Sequence, residues 1–425
     1  MKMSRIVSLI LVVVMALSCL ASCDFGGGEN PPAGGGEGTG AHPYEDLNGT
    51  YNIKMWVSEL TGVDEQFQAQ IDAFEAKYPG IIINAEIAGV TEADAGSAVI
   101  ADVVSAPDIY CFAQDQLARL VQAGALAKPI PQVKDEVQNS HDAGSVSAAS
   151  VDGTMYAYPL TADNGYYMYY DTSLISEEQA ESLETLIEIC ETNNKLFRFP
   201  INNGWYTASF FFATGCKSEW TVDGNGQFIS YNDTWCSDAG LVSMRGMTKL
   251  AQSSKHNNDN NIFSDAAVVV SGTWAYNAAQ DHFGDNLGIT DLPSFTVDGE
   301  TYHLGSFTGY KFMGVKPQTD GNRAAVLSLL AAYLTSEECQ MQRFNTFGWG
   351  PSHKTAQENE EVKNAPHLLA LAKQGKHGIP QAQIPGDWWN TAMVLGNNAK
   401  DYTDPVDLYE CLKAYKDALD LLLSK

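Results

Sequence analysis

The order in which short apolar stretches switch between two periodicities constrains this chain most. Ile53, Met55 and Val57 alternate as in a strand, and Phe67, Ile71, Phe74 and Tyr78 then recur at helical spacing until Pro79-Gly80 ends the helix. Residues 81–87 read as a second strand, 91–105 as a second helix and 109–112 as a third strand. A βαβαβ order of this kind predicts parallel strands with helices on both faces of the sheet. The same character continues downstream. Leu117, Leu120 and Val121 mark a helical segment, residues 155–160 a strand, and helices are expected near 177–191, 238–253, 322–334 and 404–423. In the last of these Asp404 is the expected N-cap, with Pro405 at the first helical position. Residues 268–270 and 311–315 read as further strands, and no internal repeat is evident.

Ahead of this body the chain carries an address. Lys2 and Arg5 precede an apolar stretch of signal-peptide length, and Leu20-Ala21-Ser22 leads into Cys23. The motif resembles the lipobox of bacterial lipoproteins, in which residues 1–22 are removed and Cys23 becomes the lipid-bearing N-terminus. Residues 23–48, rich in Gly and without apolar periodicity, read as a flexible tether. The protein is thus expected outside the cytoplasm, anchored by lipid to the bacterial cell membrane.

Composition narrows the function classes. A chain of 425 residues with 44 % apolar content has room for two domains or two lobes. No apolar stretch after the signal is long enough to span a membrane. The net charge of −27 disfavours nucleic acid and anionic lipid surfaces as partners, since both demand a cationic footprint. Beyond the signal region Cys111, Cys190, Cys216, Cys236, Cys339 and Cys411 contain no CxxC pair, so zinc-ribbon and thioredoxin readings fail. Cys216 and Cys236 flank a hairpin with the turn Asp223-Gly224-Asn225-Gly226, where a disulfide could close. The eight His residues are dispersed without an HExxH motif, giving a metal site no sequence support, and the polar run from Asn257 to Asn261 lacks the carboxylates of a calcium loop.

The unusual content is aromatic. Eight Trp and nineteen Tyr are present, several where a strand gives way to a loop: Phe112 before Gln114-Asp115-Gln116, Trp205-Tyr206 after Asn202-Asn203-Gly204, Trp274 within Ser271-Gly272-Thr273-Trp274, and Trp388-Trp389 after Ile384-Pro385-Gly386-Asp387. A sugar ring has an apolar C–H face and an edge of hydroxyls, so its receptor needs flat platforms beside carboxylates or amides. The bland reading for any one aromatic is core filling.

From about Tyr51 onward the sequence resembles the extracellular solute-binding proteins of ABC importers, in the maltose/maltodextrin-binding branch. The stretches that carry the resemblance run from Ala106 to Asp115, from Val151 to Leu160, through Phe263 and Ser271-Gly272-Thr273-Trp274-Ala275, and from Ile384 to Trp389. The resemblance implies two α/β lobes of the periplasmic-binding-protein type, each a mostly parallel sheet flanked by helices, joined by a multi-segment hinge. One lobe is expected over 49–162 and 309–351, the other over 163–308 and 352–425, with crossings near 160–164, 308–311 and 350–352. It also implies a site. Phe112 falls at a stacking Trp of the family, Asp115 at a sugar-hydroxyl acceptor, and Gln116 where the branch has Arg. Asp163 or Asn164 falls near a hinge-side Glu, Trp205 at a stacking Tyr, with Tyr206 beside it, and Trp274 and Trp388 at stacking aromatics. Glu59 matches a loop that reaches ligand, with Ser58 an equal candidate. Trp389, on the other side of its helix, reads as core, Asp115 could instead cap the following helix, and Asp163 could be a solvated hinge residue.

The expectation is therefore a monomeric, cofactor-free, lipid-anchored receptor that binds a maltodextrin-like oligosaccharide and delivers it to an ABC permease without chemistry. The alternatives are a surface glycoside hydrolase, which needs two carboxyl groups roughly 5–10 Å apart, and the same fold carrying a polyamine, metal or phosphate.

Overall fold

The computed structural model describes residues 44–402 and 404–423, so the signal and the lipid site expected at Cys23 lie outside the described residues. Folded structure already includes residues 44–48, which the sequence assigns to the tether. Glu45–Leu47 forms a short 3-10 turn, the Tyr51 hydroxyl donates to the Leu47 carbonyl at 2.8 Å, and Tyr44 packs edge-on against Tyr78.

Two five-stranded sheets carry the architecture. The first contains β1 (Gly49–Val57), β2 (Ile81–Gly89), β3 (Ile109–Ala113) and β4 (Tyr158–Thr161). The second contains β5 (Tyr167–Asp171), β6 (Leu196–Arg198), β7 (His256–Asn257), β8 (Ala266–Ser271) and β9 (Leu287–Thr290). The chain then returns to the first sheet with β10 (Lys311–Val315), giving the orders β2-β1-β3-β10-β4 and β7-β6-β8-β5-β9. The alternating pattern read in β1 is real: Ile53, Met55 and Val57 are buried between more exposed neighbours. The helix Val63–Lys77 presents Phe67, Ile71 and Phe74 to the same core. It ends where Gly80, at φ 105°, makes a turn that favours glycine.

The sheets are not mostly parallel. The pairs β1–β2, β1–β3, β6–β7 and β6–β8 run parallel, whereas β3–β10, β4–β10, β5–β8 and β5–β9 run antiparallel. The parallel pairs come from local crossovers through helices, which fix direction. β4, β5 and β10 enter or leave their sheets where the chain passes between them, so their direction is set by that passage.

Each sheet has its own apolar core, one built on residues such as Val57, Phe67, Phe112 and Leu330, the other on Phe210, Trp235, Trp388 and Leu412. Where the chain passes between them its segments bond to each other: Ala162 N donates to Gly350 O at 2.9 Å and Asn164 N to Gly309 O at 3.1 Å. The hairpin expected around residues 223–226 forms between Ser218–Val222 and Phe228–Asp233, but Cys216 and Cys236 are free thiols. No helix of the described residues is long and apolar enough to cross a membrane.

Candidate ligand-binding cleft

A cavity of about 630 Å³ opens between the two sheets' ends. Its chemistry is asymmetric. From the side of the first sheet come Ser58, Glu59, Thr91, Glu92, Asp94, Asp115 and Lys311; from the side of the second come Trp205, Tyr206, Trp274 and Trp389. The first wall is polar and mostly acidic, the second aromatic.

Local packing explains where the indoles sit. Helices α1 (Gly204–Ala213) and α2 (Gly386–Asn398) both start at the cleft, and Asn203 caps α1 through its side-chain oxygen on Trp205 N at 2.9 Å. The two helices touch through glycines: a Cβ on Gly204 would meet the Trp389 carbonyl at 2.5 Å, and one on Gly396 would collide with the Ile201 carbonyl. This close approach sets Trp205 and Trp389 on neighbouring helix starts. Trp274, in the 3-10 turn after β8, lies 5.9 Å from Trp205 centroid to centroid with the planes 37° apart. The three indoles are half-buried, each leaving part of its surface open. Lys311 Nζ sits 5.2 Å from the centre of the Trp274 ring and 3.5 Å from Glu92 Oε1, so it joins the two walls by cation–π and ionic contact.

Asp115 is the acceptor at the centre. Its Oδ1 accepts from Gln381 Nε2 at 2.9 Å and its Oδ2 from Trp389 Nε1 at 3.2 Å, with Arg119 3.7 Å away. Burial pushes its carboxyl up to about 6, against the opposing pull of Arg119, Trp389 and Gln381. It does not cap the helix Leu117–Gln122. Gln381, unmarked in the sequence, is the hub: its Oε1 accepts from Asn164 Nδ2 and Trp205 Nε1, both at 3.0 Å, and its backbone N donates to Thr308 O at 2.7 Å. It thereby links the crossing segments, the acidic wall and one platform.

Of the residues expected at the site, Glu59, Asp115, Asn164, Trp205, Tyr206 and Trp274 line the cavity. Ser58 lines it too, beside Glu59. Three need correction. Phe112 is 0 % exposed and packs edge-on against Phe312 in the first core, because the strand's alternation turns it inward while Ala113 faces the cavity. Trp388 is 0 % exposed; it donates to the Tyr415 hydroxyl at 3.1 Å and stands edge-on to Trp235, so it is core. Trp389 takes the cleft position instead, reversing the two assignments. Gln116 borders the cavity but spends its amide internally, accepting from Gly96 N at 2.5 Å and donating to Glu92 O at 2.6 Å and Ala93 O at 3.0 Å. Asp163 is neither solvated nor in the cavity. Its Oδ2 accepts from Thr273 Oγ1 and Gly350 N, both at 2.7 Å, knotting the crossings.

Half-buried aromatic faces beside carboxylates and amides suit a neutral polyhydroxy ligand, stacked on one side and hydrogen-bonded on the other. A family model described as bacterial extracellular solute-binding protein matches residues 69–370. Among solved structures, one determined with acarbose shares 26 % identity at a TM-score of 0.74, covering 86 % of this chain and 98 % of that one. A maltodextrin-binding protein from L. casei without ligand gives 21 % identity and TM-score 0.73 over 89 % and 100 % of the two chains. The maltose/maltodextrin-binding domain from Bdellovibrio bacteriovorus bound to maltotriose gives 19 % and 0.72 over 87 % and 99 %. The last two show a shared fold. No curated protein sequence matches the chain significantly.

Proposed function

This chain belongs to the bacterial extracellular solute-binding protein family, and within it we propose a receptor for an oligosaccharide of the maltodextrin class, held to the membrane by a lipid on Cys23. The observation that carries the reading is the pairing of Trp205, Trp274 and Trp389 on one wall with Asp115, Glu59 and Lys311 on the other. Glucose units of an α-glucan stack on the indoles while their hydroxyls bond to the acidic wall. The solved relative with acarbose and the folds shared with maltodextrin-binding proteins support this ligand class.

The receptor captures sugar, closes about the crossings at 160–164, 308–311 and 350–352, and presents it to an ABC permease. Closure is a population shift driven by contacts to both walls. Calorimetry with maltotriose, maltotetraose and acarbose tests the ligand class, and absence of binding by all three refutes it. The chain does no chemistry in this reading. A reducing-sugar assay after incubation with maltodextrin checks that, since release of new ends would favour the hydrolase alternative. Fatty-acid labelling lost on Cys23→Ser tests the anchor.

A further inference from the structure

Outside the cleft lining, three metal-ligating side chains from separate stretches converge. Asp291 follows β9, His303 ends the short strand Glu300–His303, and His377 ends the 3-10 turn Gly375–His377. One ligand atom of each lies within 4.8 Å of the other two. The sequence hides this grouping because its members are far apart along the chain.

The hydrogen-bond arithmetic at His303 is unusual. Its Nδ1 lies 2.9 Å from the Leu304 carbonyl and its Nε2 lies 3.3 Å from Asp291 Oδ2, so both ring nitrogens face oxygen acceptors. A neutral imidazole carries one N–H and can satisfy only one of them. The other contact is oxygen against a nitrogen lone pair unless the ring gains a proton or a cation enters. The His377 ring lies flat on His303, 3.6 Å between centroids and 12° from parallel, and Lys373 Nζ stands 2.7 Å from Asp291 Oδ1, leaving Oδ2 as the oxygen that faces His303.

We propose that Asp291, His303 and His377 form a binding site for a divalent d-block cation, with zinc as the reference ion. Two imidazoles and one carboxylate match the borderline-soft donor set zinc takes with three protein ligands and an open position. His303 arrives oriented, since Nδ1–H donating to Leu304 O leaves Nε2 as the ligand, the outer-shell arrangement common for metal-bound histidine. Asp291 is likewise placed, its side chain only 13 % exposed. His377 must turn its ring edge-on to the ion; it is exposed, so the turn meets little resistance.

The site's position gives it leverage. His377 directly precedes Gly378–Pro380, which pairs in parallel with Ser306–Thr308, and these strands run to Gln381 and Gly309 at the base of the cleft. A bound ion would staple together the outer ends of both segments.

The test uses the full chain after treatment with chelator. Calorimetric titration with zinc chloride is expected to show one ion per chain at micromolar or tighter affinity, with a rise in melting temperature from binding to the folded state. His377→Ala and His303→Gln are each expected to weaken uptake at least about tenfold. His377→Ala should leave the metal-free melting temperature unchanged, and magnesium chloride should give no heat. Tetrahedral cobalt absorption lost in His377→Ala supports the same donor set. Failure to bind one zinc, or equal uptake by both variants and the parent, overturns the proposal.

Discussion

Adjacent tryptophans on α2 offer the sharpest experiment, because a single residue step along the helix separates a stabilising role from a binding one. Trp388→Ala removes a fully buried indole that packs on Trp235 and bonds to Tyr415. Truncations of this kind cost about 3–5 kcal/mol. With an unfolding entropy of about 2.1 cal/mol/K per residue over a folded body of roughly 380 residues, 1 kcal/mol shifts the melting temperature by about 1.2 °C. The expected loss is therefore about 4–6 °C, with maltotriose affinity within about twofold of the parent. Trp389→Ala should do the reverse. It deletes a half-buried cleft platform and the bond from its Nε1 to Asp115, costing about 1–3 kcal/mol of binding, or roughly 5- to 150-fold in Kd. Scanning calorimetry and titration of both variants decide it. Trp388→Ala losing sugar at an unchanged melting temperature, or Trp389→Ala melting early with affinity intact, refutes the assignment of the two faces.

Three further outcomes are expected. Asp115, raised by burial to about 6 from 3.8, binds its proton more tightly in the folded state, so its charge destabilises the fold above about pH 6 and the penalty fades as pH falls toward 4. Asp115→Asn should hence gain more denaturant stability relative to the parent at pH 7 than at pH 4.5; an equal or reversed difference contradicts the burial argument. Asp163→Ala leaves Thr273 Oγ1 and Gly350 N without their acceptor and should cost about 2–4 kcal/mol in urea unfolding, with no change if the hinge knot is idle. Gly396→Ala drives a Cβ into the Ile201 carbonyl and should lower stability by at least about 2 kcal/mol, whereas a neutral result would mean that the two helices can separate freely.

What the sequence disclosed and what it hid follow one physical line. Periodicity is local, so β2 and β10 could be read within two residues, β1 and the helix after it are found but start four residues earlier than their apolar pattern, and Asp404 caps the final helix Pro405–Leu422 as expected. Facing is not local. Phe112 and Trp388 lie beside residues that do reach the cavity, and a single step along a strand or helix moves a side chain from cleft to core. Gln381 and Lys311 carried no local signal, since their roles arise from partners distant in sequence. The direction of β10 and β4 escaped the βαβ rule because no helical crossover governs it.

The place of β10 between β3 and β4 also bears on how the protein is made. During synthesis β3, buried at every position in the finished fold, and β4 wait without their shared neighbour until the whole second sheet has been translated. Until then each presents an open strand edge, a template for pairing with other chains. Pairings so remote in sequence form slowly, because a long loop must close before they yield any contact. A fragment ending before Lys311 should aggregate instead of forming half of the fold.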